Sequence, residues 1–134
     1  MKNRILLVDD QPTNLALLYE HLNRPNYDIV VADNGVDAVE KASKMNPSII
    51  LLDVRMPGMD GYETCRVLKA DPQLEKVPVI FLSALDETDD RLRGFEVGGV
   101  DFISKPIDVL EVAARIKTHL ELAQAQRELA TSNE

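Results

Sequence analysis

The sequence predicts an α/β fold in which a parallel β-sheet is covered by helices on both faces. Five short, mainly apolar runs alternate along the chain with segments of helical spacing, and these runs do not alternate between polar and apolar residues. Only 4% of the 134 residues are aromatic, so the core must be built mainly from Val, Ile, Leu and Ala. These observations together indicate one domain with a doubly wound sheet.

The five predicted strands are short and rich in aliphatic residues. They are expected at residues 5–8, 28–32, 49–52, 77–82 and 100–103. Apolar runs of this length fit strands that are buried on both faces of a sheet. Five strand–helix units suit the flavodoxin-like strand order 2-1-3-4-5, which we expect by analogy and which gives three layers, α/β/α.

Five helices are predicted from apolar residues spaced three or four positions apart. Their inward stripes are Leu15, Leu18 and Leu22; Ala38, Ala42 and Met45; Tyr62, Cys65 and Leu68; Leu92 and Phe95; and Val109, Val112, Ile116 and Leu120. Pro12 stands where the first turn of a helix tolerates proline. Asp86 is expected to begin the fourth helix, and Gly98 and Gly99 are expected to end it.

Composition excludes several classes of function. The net charge of −8 gives an acidic surface, which repels phosphate backbones and anionic lipids, so we expect this domain to bind neither nucleic acid nor membrane. A single cysteine, Cys65, excludes an internal disulfide framework, and only two histidines accompany it, which makes a structural zinc site improbable. No signal-peptide core and no apolar stretch of roughly 18 residues is present, and we expect a cytoplasmic protein.

Polar and charged residues stand at the ends of four predicted strands. They are Asp9 and Asp10 after the first strand, Asp53 after the third, Ser83 after the fourth and Lys105 after the fifth. Ligands of such folds bind at the carboxyl ends of the strands, and neighbouring first and third strands would bring three carboxylates together. Like charges at that distance repel and must protonate or recruit a cation. Oxygen ligands without His or Cys favour Mg²⁺.

Each of these residues also has a plainer interpretation. Asp9 and Asp10 are adjacent acids of the kind that cap helices, and Ser83 is an ordinary capping residue at about even odds. Lys105 could be a neutralising partner, and as the residue before Pro106 it could precede a cis peptide bond. Asp53 has no obvious capping role, and for the set as a whole we favour a functional site.

The same residues carry a resemblance to a known family. Asp9-Asp10, the segment Leu52-Asp53-Val54-Arg55-Met56-Pro57-Gly58-Met59-Asp60-Gly61, Ser83-Ala84 and Lys105-Pro106 together resemble the bacterial response-regulator receiver domain. The resemblance runs from about residue 2 to residue 120, and its set of motifs is highly specific.

The resemblance implies a phosphorylation-dependent switch in a two-component system. Asp53 would accept a phosphoryl group from a phosphohistidine on a sensor histidine kinase or phosphotransfer protein. Asp10 would bind Mg²⁺ directly, Asp9 mainly through water, and Asp53 and the backbone carbonyl of Arg55 would complete the ligand set. Such a domain assists its own phosphorylation and dephosphorylation but is not an enzyme with an external substrate.

Three further residues receive roles from the resemblance. Lys105 would pair with the phosphoryl oxygens, and Ser83 would turn towards the phosphoryl group and donate a hydrogen bond to it. Phe102 would fill the space that Ser83 leaves, so that the two form the switch pair. The surface of the fourth helix, fifth strand and fifth helix would then change. Phe102 could equally be a plain core aromatic residue.

The sequence departs from the family pattern at three positions. Gln11 stands where many members carry an acid, Ser83 replaces the commoner Thr, and Gly99 stands where Ala is usual. None of these changes removes a functional group. Arg55 and Leu85, each two residues beyond a site residue, are expected to tune the lifetime of the phosphoryl group.

The last fourteen residues, 121–134, are helix-friendly and follow a domain predicted at residues 1–120. Ala113, Ile116, Leu120 and Ala123 follow a 3-4-3 spacing that is only suggestive of a dimer seam. A long fifth helix fraying into solvent is slightly favoured over a signalling helix that dimerises and leads to an output domain. A homodimer would use that helix or the fourth helix–fifth strand–fifth helix face.

Three rival functions use the same residues differently. A Mg²⁺-dependent phosphatase of the haloacid-dehalogenase type also has an aspartate nucleophile after a strand, but its Asp-x-Asp signature is absent. A flavodoxin-like cofactor binder would need a phosphate-binding loop that the chain lacks. A receiver that acts without phosphorylation is disfavoured by the intact set of acceptor residues.

Overall fold

The computed structural model describes residues 2–84 and 88–132 of the chain. Within these residues, five strands alternate with five helices, which confirms the predicted order. The elements are β1 (Asn3–Val8), α1 (Pro12–Leu22), β2 (Tyr27–Ala32), α2 (Gly35–Met45), β3 (Ile49–Asp53), α3 (Gly61–Ala70), β4 (Val79–Ser83), α4 (Thr88–Glu96), β5 (Asp101–Ser104) and α5 (Val109–Ser132). As predicted, α1 begins at Pro12.

The strands form one parallel sheet in the order β2-β1-β3-β4-β5, as predicted. Register places Val8 opposite Leu52, and Asp53 opposite Leu82. Ser83 lies opposite Ser104 in the next pair of strands. The carboxyl ends of β1, β3, β4 and β5 therefore meet at one edge of the sheet, where the residues that follow each strand can contact one another.

Alternate residues of the central strands enter two separate hydrophobic cores. On one face, Leu6, Ile50 and Phe81 pack with residues of α2 and α3. On the other face, Leu7 and Leu51 pack with residues of α1 and α5. Every residue of β3 and β4 is buried, whereas Val31 of the edge strand β2 is 37% exposed. The three-layer α/β/α architecture is confirmed.

The predicted inward stripe of the fourth helix is wrong. Leu92 and Phe95 are 54% and 50% exposed, and α4 instead buries Gly94 against the sheet. Two apolar residues are too few to fix which face of a short helix turns inward, and here large aromatic side chains of the sheet occupy the space beneath α4. The predicted cap Asp86 lies outside the described residues, and so does Leu85.

Four of the six aromatic side chains form a continuous row across this face of the sheet. The ring centroids of Tyr62 and Phe81 are 5.2 Å apart, those of Phe81 and Phe102 are 5.2 Å apart, and those of Phe102 and Phe95 are 6.0 Å apart. A Cβ atom at Gly94 would overlap the Phe102 ring. The missing side chain lets the α4 backbone lie directly on that ring.

Gly99 leaves space for the central ring of the same row, which is that of Phe81. A Cβ atom at this position would overlap Cε2 of Phe81 and lie 2.8 Å from its Cδ2. The fully buried Phe81 ring thus occupies the space that an alanine methyl group would need. This packing gives a physical reason for glycine at a position where the family resemblance leads us to expect alanine.

The predicted apolar stripe of the long helix α5 packs against the sheet in the hydrophobic core. Ile116 and Leu120 are buried against the sheet with Ala113 packed beside them, so the stripe is a core contact up to residue 120, and its last member, Ala123, is partly buried. Leu122 and Leu129 are exposed on the part of the helix beyond the domain. The helix crosses residue 120 without a break, and the domain boundary there stays a prediction. No described helix is both long enough and apolar enough to cross a membrane.

Replacing Gly99 by alanine should lower the free energy of unfolding by about 1–3 kcal/mol, because the added methyl group overpacks the Phe81 ring. In a Phe81→Leu background, the same substitution should cost clearly less, since the smaller side chain leaves room. Urea unfolding of the two single variants and the double variant measures both values. Equal costs in the two backgrounds would show that Phe81 is not the obstacle.

Candidate functional site

Three carboxylates converge at the carboxyl edge of the sheet, as the strand ends predict. Asp9 follows β1 and is fully buried, Asp10 is partly buried, and Asp53 is the last residue of β3 and only 3% exposed. One oxygen from each of the three carboxylates lies within 4.8 Å of the others. Buried strand residues precede the Asp9-Asp10 pair and Asp53, so the sheet holds the acids in place from one side.

Lys105 supplies the positive charge of this cluster. Its Nζ atom lies 3.0 Å from Oδ1 of Asp53 and 3.6 Å from Oδ2 of Asp9. The backbone N–H of Lys105 donates to the carbonyl of Ser83 at 2.8 Å, which ties the end of β5 to the end of β4. The peptide bond between Lys105 and Pro106 is cis. Lys105 is therefore both a neutralising partner and the residue before a cis proline.

Asp9 is fixed by donors from the turn into α1. The backbone N–H of Gln11 donates to its Oδ1 at 2.9 Å, and Nδ2 of Asn14 donates to its Oδ2 at 3.1 Å. Asn14 was not among the predicted site residues. Its position in the first turn of a helix that starts right after the acid pair was the signal that could have identified it.

The predicted switch residues Ser83 and Phe102 are both buried, at the end of β4 and within β5. Ser83 ends β4, is 2% exposed and sits at the same sheet edge as Asp53, since Asp53 is in register with the neighbouring Leu82. Phe102 is buried in β5, within the aromatic row and against Gly94. The packing makes Phe102 a core aromatic residue in this conformation, which leaves its switching role a prediction.

The loop after Asp53 is held tightly at its end. The backbone N–H of Gly61 donates to the carbonyl of Val54 at 2.8 Å, and a Cβ atom at Gly61 would overlap the carbonyl oxygen of Asp53. The Asp60 carboxylate caps α3 by accepting from the N–H of Glu63 at 2.8 Å. Only glycine lets the start of α3 approach the end of β3 this closely.

Arg55 lies on this loop, exposed, beside an open cavity of about 470 Å³. Arg93 of α4 closes the far side of the cavity, with its guanidinium carbon 4.7 Å from the centre of the Tyr62 ring. A nitrogen of Arg93 also lies 3.9 Å from the Asp60 carboxylate. The predicted role of the Arg55 carbonyl as a metal ligand stays a prediction, as does the tuning role of Arg55.

The electrostatics of the cluster raise the pKa of Asp53 from its ordinary value of 3.8 to about 6. Burial is the largest cause, because it penalises the charged form, and the charges of Asp9 and Asp10 act in the same direction. The hydrogen bond and the charge of Lys105 oppose the shift. A bound cation would favour the charged form of all three acids, and their oxygen-only donor set fits a hard ion such as Mg²⁺.

The sequence profile of the response regulator receiver domain matches residues 5–117, which include the whole cluster. The chain belongs to this family. Receiver domains are phosphorylation switches of two-component signalling, which histidine kinases or phosphotransfer proteins phosphorylate, and they bind Mg²⁺ in an acidic pocket. The predicted family, fold and general function are thus confirmed.

Curated relatives match the receiver domain over most of its length. This chain is 45% identical to the response regulator PleD of Caulobacter vibrioides over 118 residues, which make up 88% of this chain and 26% of PleD. It is 38% identical to the alkaline phosphatase synthesis regulator PhoP of Bacillus subtilis, over 90% of this chain and 49% of PhoP. The chain therefore spans between about a quarter and a half of these relatives.

Solved receiver domains have the same architecture. The receiver domain of a signal transduction histidine kinase from Syntrophus aciditrophicus is 39% identical, with a TM-score of 0.80 over 89% of this chain and 90% of that one. The receiver domain of the sensor histidine kinase PA1611 from Pseudomonas aeruginosa PAO1 is 29% identical, with a TM-score of 0.82 over 90% of this chain and 99% of that one. That structure has a magnesium ion coordinated in its active-site cleft.

The raised pKa of Asp53 predicts a pH-dependent cost of folding without divalent ions. Because the folded-state pKa of about 6 exceeds the ordinary value of 3.8, the stabilising effect of protonation is complete below about pH 4 and is lost as the pH rises through 6. Asp53→Asn should therefore gain about 2–3 kcal/mol over the wild type between pH 4 and pH 7, as measured by urea unfolding.

Asp33→Asn provides the matched control, because Asp33 follows β2 at the same edge of the sheet but is exposed and outside the carboxylate cluster. Its stability should follow that of the wild type at both pH values. A difference between Asp53→Asn and the wild type that does not change with pH would contradict the raised pKa of Asp53.

Proposed function

We propose that this receiver domain accepts a phosphoryl group on Asp53 and responds with a change in the surface formed by α4, β5 and α5. The observation that carries the proposal is the position of the Asp53 carboxylate, which lies within 4.8 Å of two further carboxylates and 3.0 Å from the Lys105 ammonium group. A nucleophilic oxygen, a group of metal-binding oxygens and a cation for the transferred group thus lie together.

The proposed reaction is a direct displacement at phosphorus. A carboxylate oxygen of Asp53 forms a bond to phosphorus while the bond from phosphorus to the donor nitrogen of a phosphohistidine breaks, which leaves neutral histidine once that nitrogen holds a proton. Negative charge spreads over the transferred oxygens, so the domain contributes mainly placement and electrostatic stabilisation. Lys105 is placed to pair with one of those oxygens.

The metal ligands are proposed from the same cluster. Asp10 is partly buried, and its side chain makes no hydrogen bond or ion pair to other described residues, so it is suited to direct metal contact. Both oxygens of Asp9 already accept hydrogen bonds, which suits contact through water. Asp53 and the backbone carbonyl of Arg55 would complete the set. Mg²⁺ bound there supplies positive charge that offsets the carboxylates and the incoming phosphoryl group.

The switch is proposed to run from Ser83 to α4 through the aromatic row. Ser83 would donate a hydrogen bond to the phosphoryl group, and Phe102 would respond to the space behind it. Because the Phe102 ring lies directly against Gly94, a movement of the ring must change how α4 is seated. A local change of charge would thereby alter a surface on the far side of the helix.

The partners proposed for this surface follow from its exposed apolar residues. Leu92 and Phe95 of α4, Val100 before β5 and Leu110 of α5 are between 42% and 77% exposed. We propose a homodimer through this face or through the exposed side of the α5 extension, at Leu122 and Leu129, and an output domain beyond residue 134. The kinase or phosphotransfer protein would act in the cytoplasm.

The proposed function is tested with a small phosphodonor. Incubation with acetyl phosphate and Mg²⁺ should add one phosphoryl group, and mass spectrometry after reduction of the acyl phosphate with borohydride should locate it at Asp53. Asp53→Ala should remain unmodified, and Asp33→Asn should react like the wild type. Modification at another residue, or none in the wild type, would overturn the proposal.

Mg²⁺ should stabilise the folded domain in proportion to its binding. At a free concentration ten times its Kd, the free energy of unfolding should rise by about 1.4 kcal/mol, because the ion binds the folded state alone. Asp10→Asn should lose most of this gain, whereas Asp33→Asn should keep it. Urea unfolding with and without the ion measures the gain, and its absence in the wild type would count against the metal site.

A further inference from the structure

We propose that Asn14 is a positioning residue that keeps the Lys105 ammonium group on the phosphoacceptor Asp53. Nδ2 of Asn14 donates to Oδ2 of Asp9 at 3.1 Å, and this is the same oxygen atom that faces Lys105 at 3.6 Å. The inference rests on the proposed function, because it concerns how the charge that assists phosphoryl transfer is held in place.

The Lys105 ammonium group lies near two carboxylates, those of Asp53 and Asp9, and can pair with either. Its Nζ atom lies at hydrogen-bonding distance, 3.0 Å, from Asp53 but 3.6 Å from Asp9, which is beyond a normal hydrogen bond. Both carboxylates are nearly inaccessible to solvent, so each gains strongly from a donor. Asp9 is already satisfied, by Gln11 on one oxygen and Asn14 on the other, and its attraction for Lys105 is correspondingly weaker.

The orientation of the Asn14 amide is fixed by its surroundings. Nδ2 donates to the side-chain Oε1 of Gln11 at 2.9 Å as well as to Asp9. The reversed amide would set its oxygen against the Asp9 carboxylate, which can only accept when ionised, so this orientation is favoured. The backbone N–H of Asn14 donates to the Gln11 carbonyl at 3.1 Å, which anchors the residue in the first turn of α1.

Removal of the amide leaves Oδ2 of Asp9 buried without its strongest donor. The nearest donor able to replace it is the Lys105 ammonium group, which would move towards Asp9 and away from Asp53. The three carboxylates and the net charge of the cluster stay the same. The defect should therefore appear in phosphoryl transfer and not in Mg²⁺ binding.

Asn14→Leu removes the amide at similar side-chain volume and keeps a residue that favours helix. At saturating Mg²⁺, its rate of phosphorylation by acetyl phosphate should be about tenfold below that of the wild type, the order of effect expected for a lost hydrogen bond between charged groups. The Kd for Mg²⁺, measured by isothermal titration calorimetry, should stay within a factor of about two. Asn14→Ala should give the same pattern, and it serves as the second variant if Asn14→Leu does not fold.

Thr13→Leu is the matched control, since Thr13 is an exposed residue in the same turn of α1 and receives the same side chain. It should change neither the rate nor the Kd. Lys105→Met supplies a second test: in that background, Asn14→Leu should have no further effect on the rate, because the group that it positions is gone.

The outcomes separate this inference from the proposed function. A wild-type domain that acetyl phosphate does not modify at Asp53 would overturn the proposed function itself. If the wild type reacts, unchanged rates in both Asn14 variants would overturn the positioning role. An equal loss of Mg²⁺ affinity and rate would also overturn it, and so would an undiminished tenfold effect in the Lys105→Met background.

Discussion

The balance between three carboxylates, two of them buried, and one ammonium group is the constraint on which the rest of this domain depends. Burial penalises the charged form of Asp53, and the charges of Asp9 and Asp10 act in the same direction, so the pKa of Asp53 is raised although Lys105 opposes the shift. The negative charge that Lys105 does not neutralise favours the binding of a cation. A site that is costly to fold in the absence of its ligands is prepared to bind them.

The fold tolerates this unfavourable free energy because the hydrophobic cores are separate from the site. Two hydrophobic layers, one on each face of the sheet, stabilise the strands, while the charged residues of the site lie at the carboxyl ends of the strands. The parallel register brings the carboxyl ends of β1 and β3 side by side, although about 45 residues separate them along the chain. Short loops then fix the side chains, with Gly61 closing the loop after Asp53 and Asn14 holding Asp9.

The aromatic row lies beneath α4, on the face of the sheet that this helix covers. Phe81 lies at the centre of the row. Gly94 and Gly99 leave the space that the rings of Phe81 and Phe102 occupy. The α4 helix is therefore seated on rings that also pack against the end of the sheet. In this arrangement, the packing of α4 depends on the position of the Phe102 ring, although the helix buries few of its own apolar residues.

The sequence by itself determined the order of elements and the edge at which the chemistry lies, because apolar runs specify buried strands and each run ends in a polar residue at its carboxyl end. The tertiary structure alone decided which face of α4 turns inward, since that depends on the Phe81 and Phe102 rings beneath Gly94 and not on the spacing of Leu92 and Phe95. It alone assigned the α5 stripe to the core and placed the Asn14 amide on Asp9. Such contacts depend on how side chains from distant segments share space, and local periodicity carries no record of that.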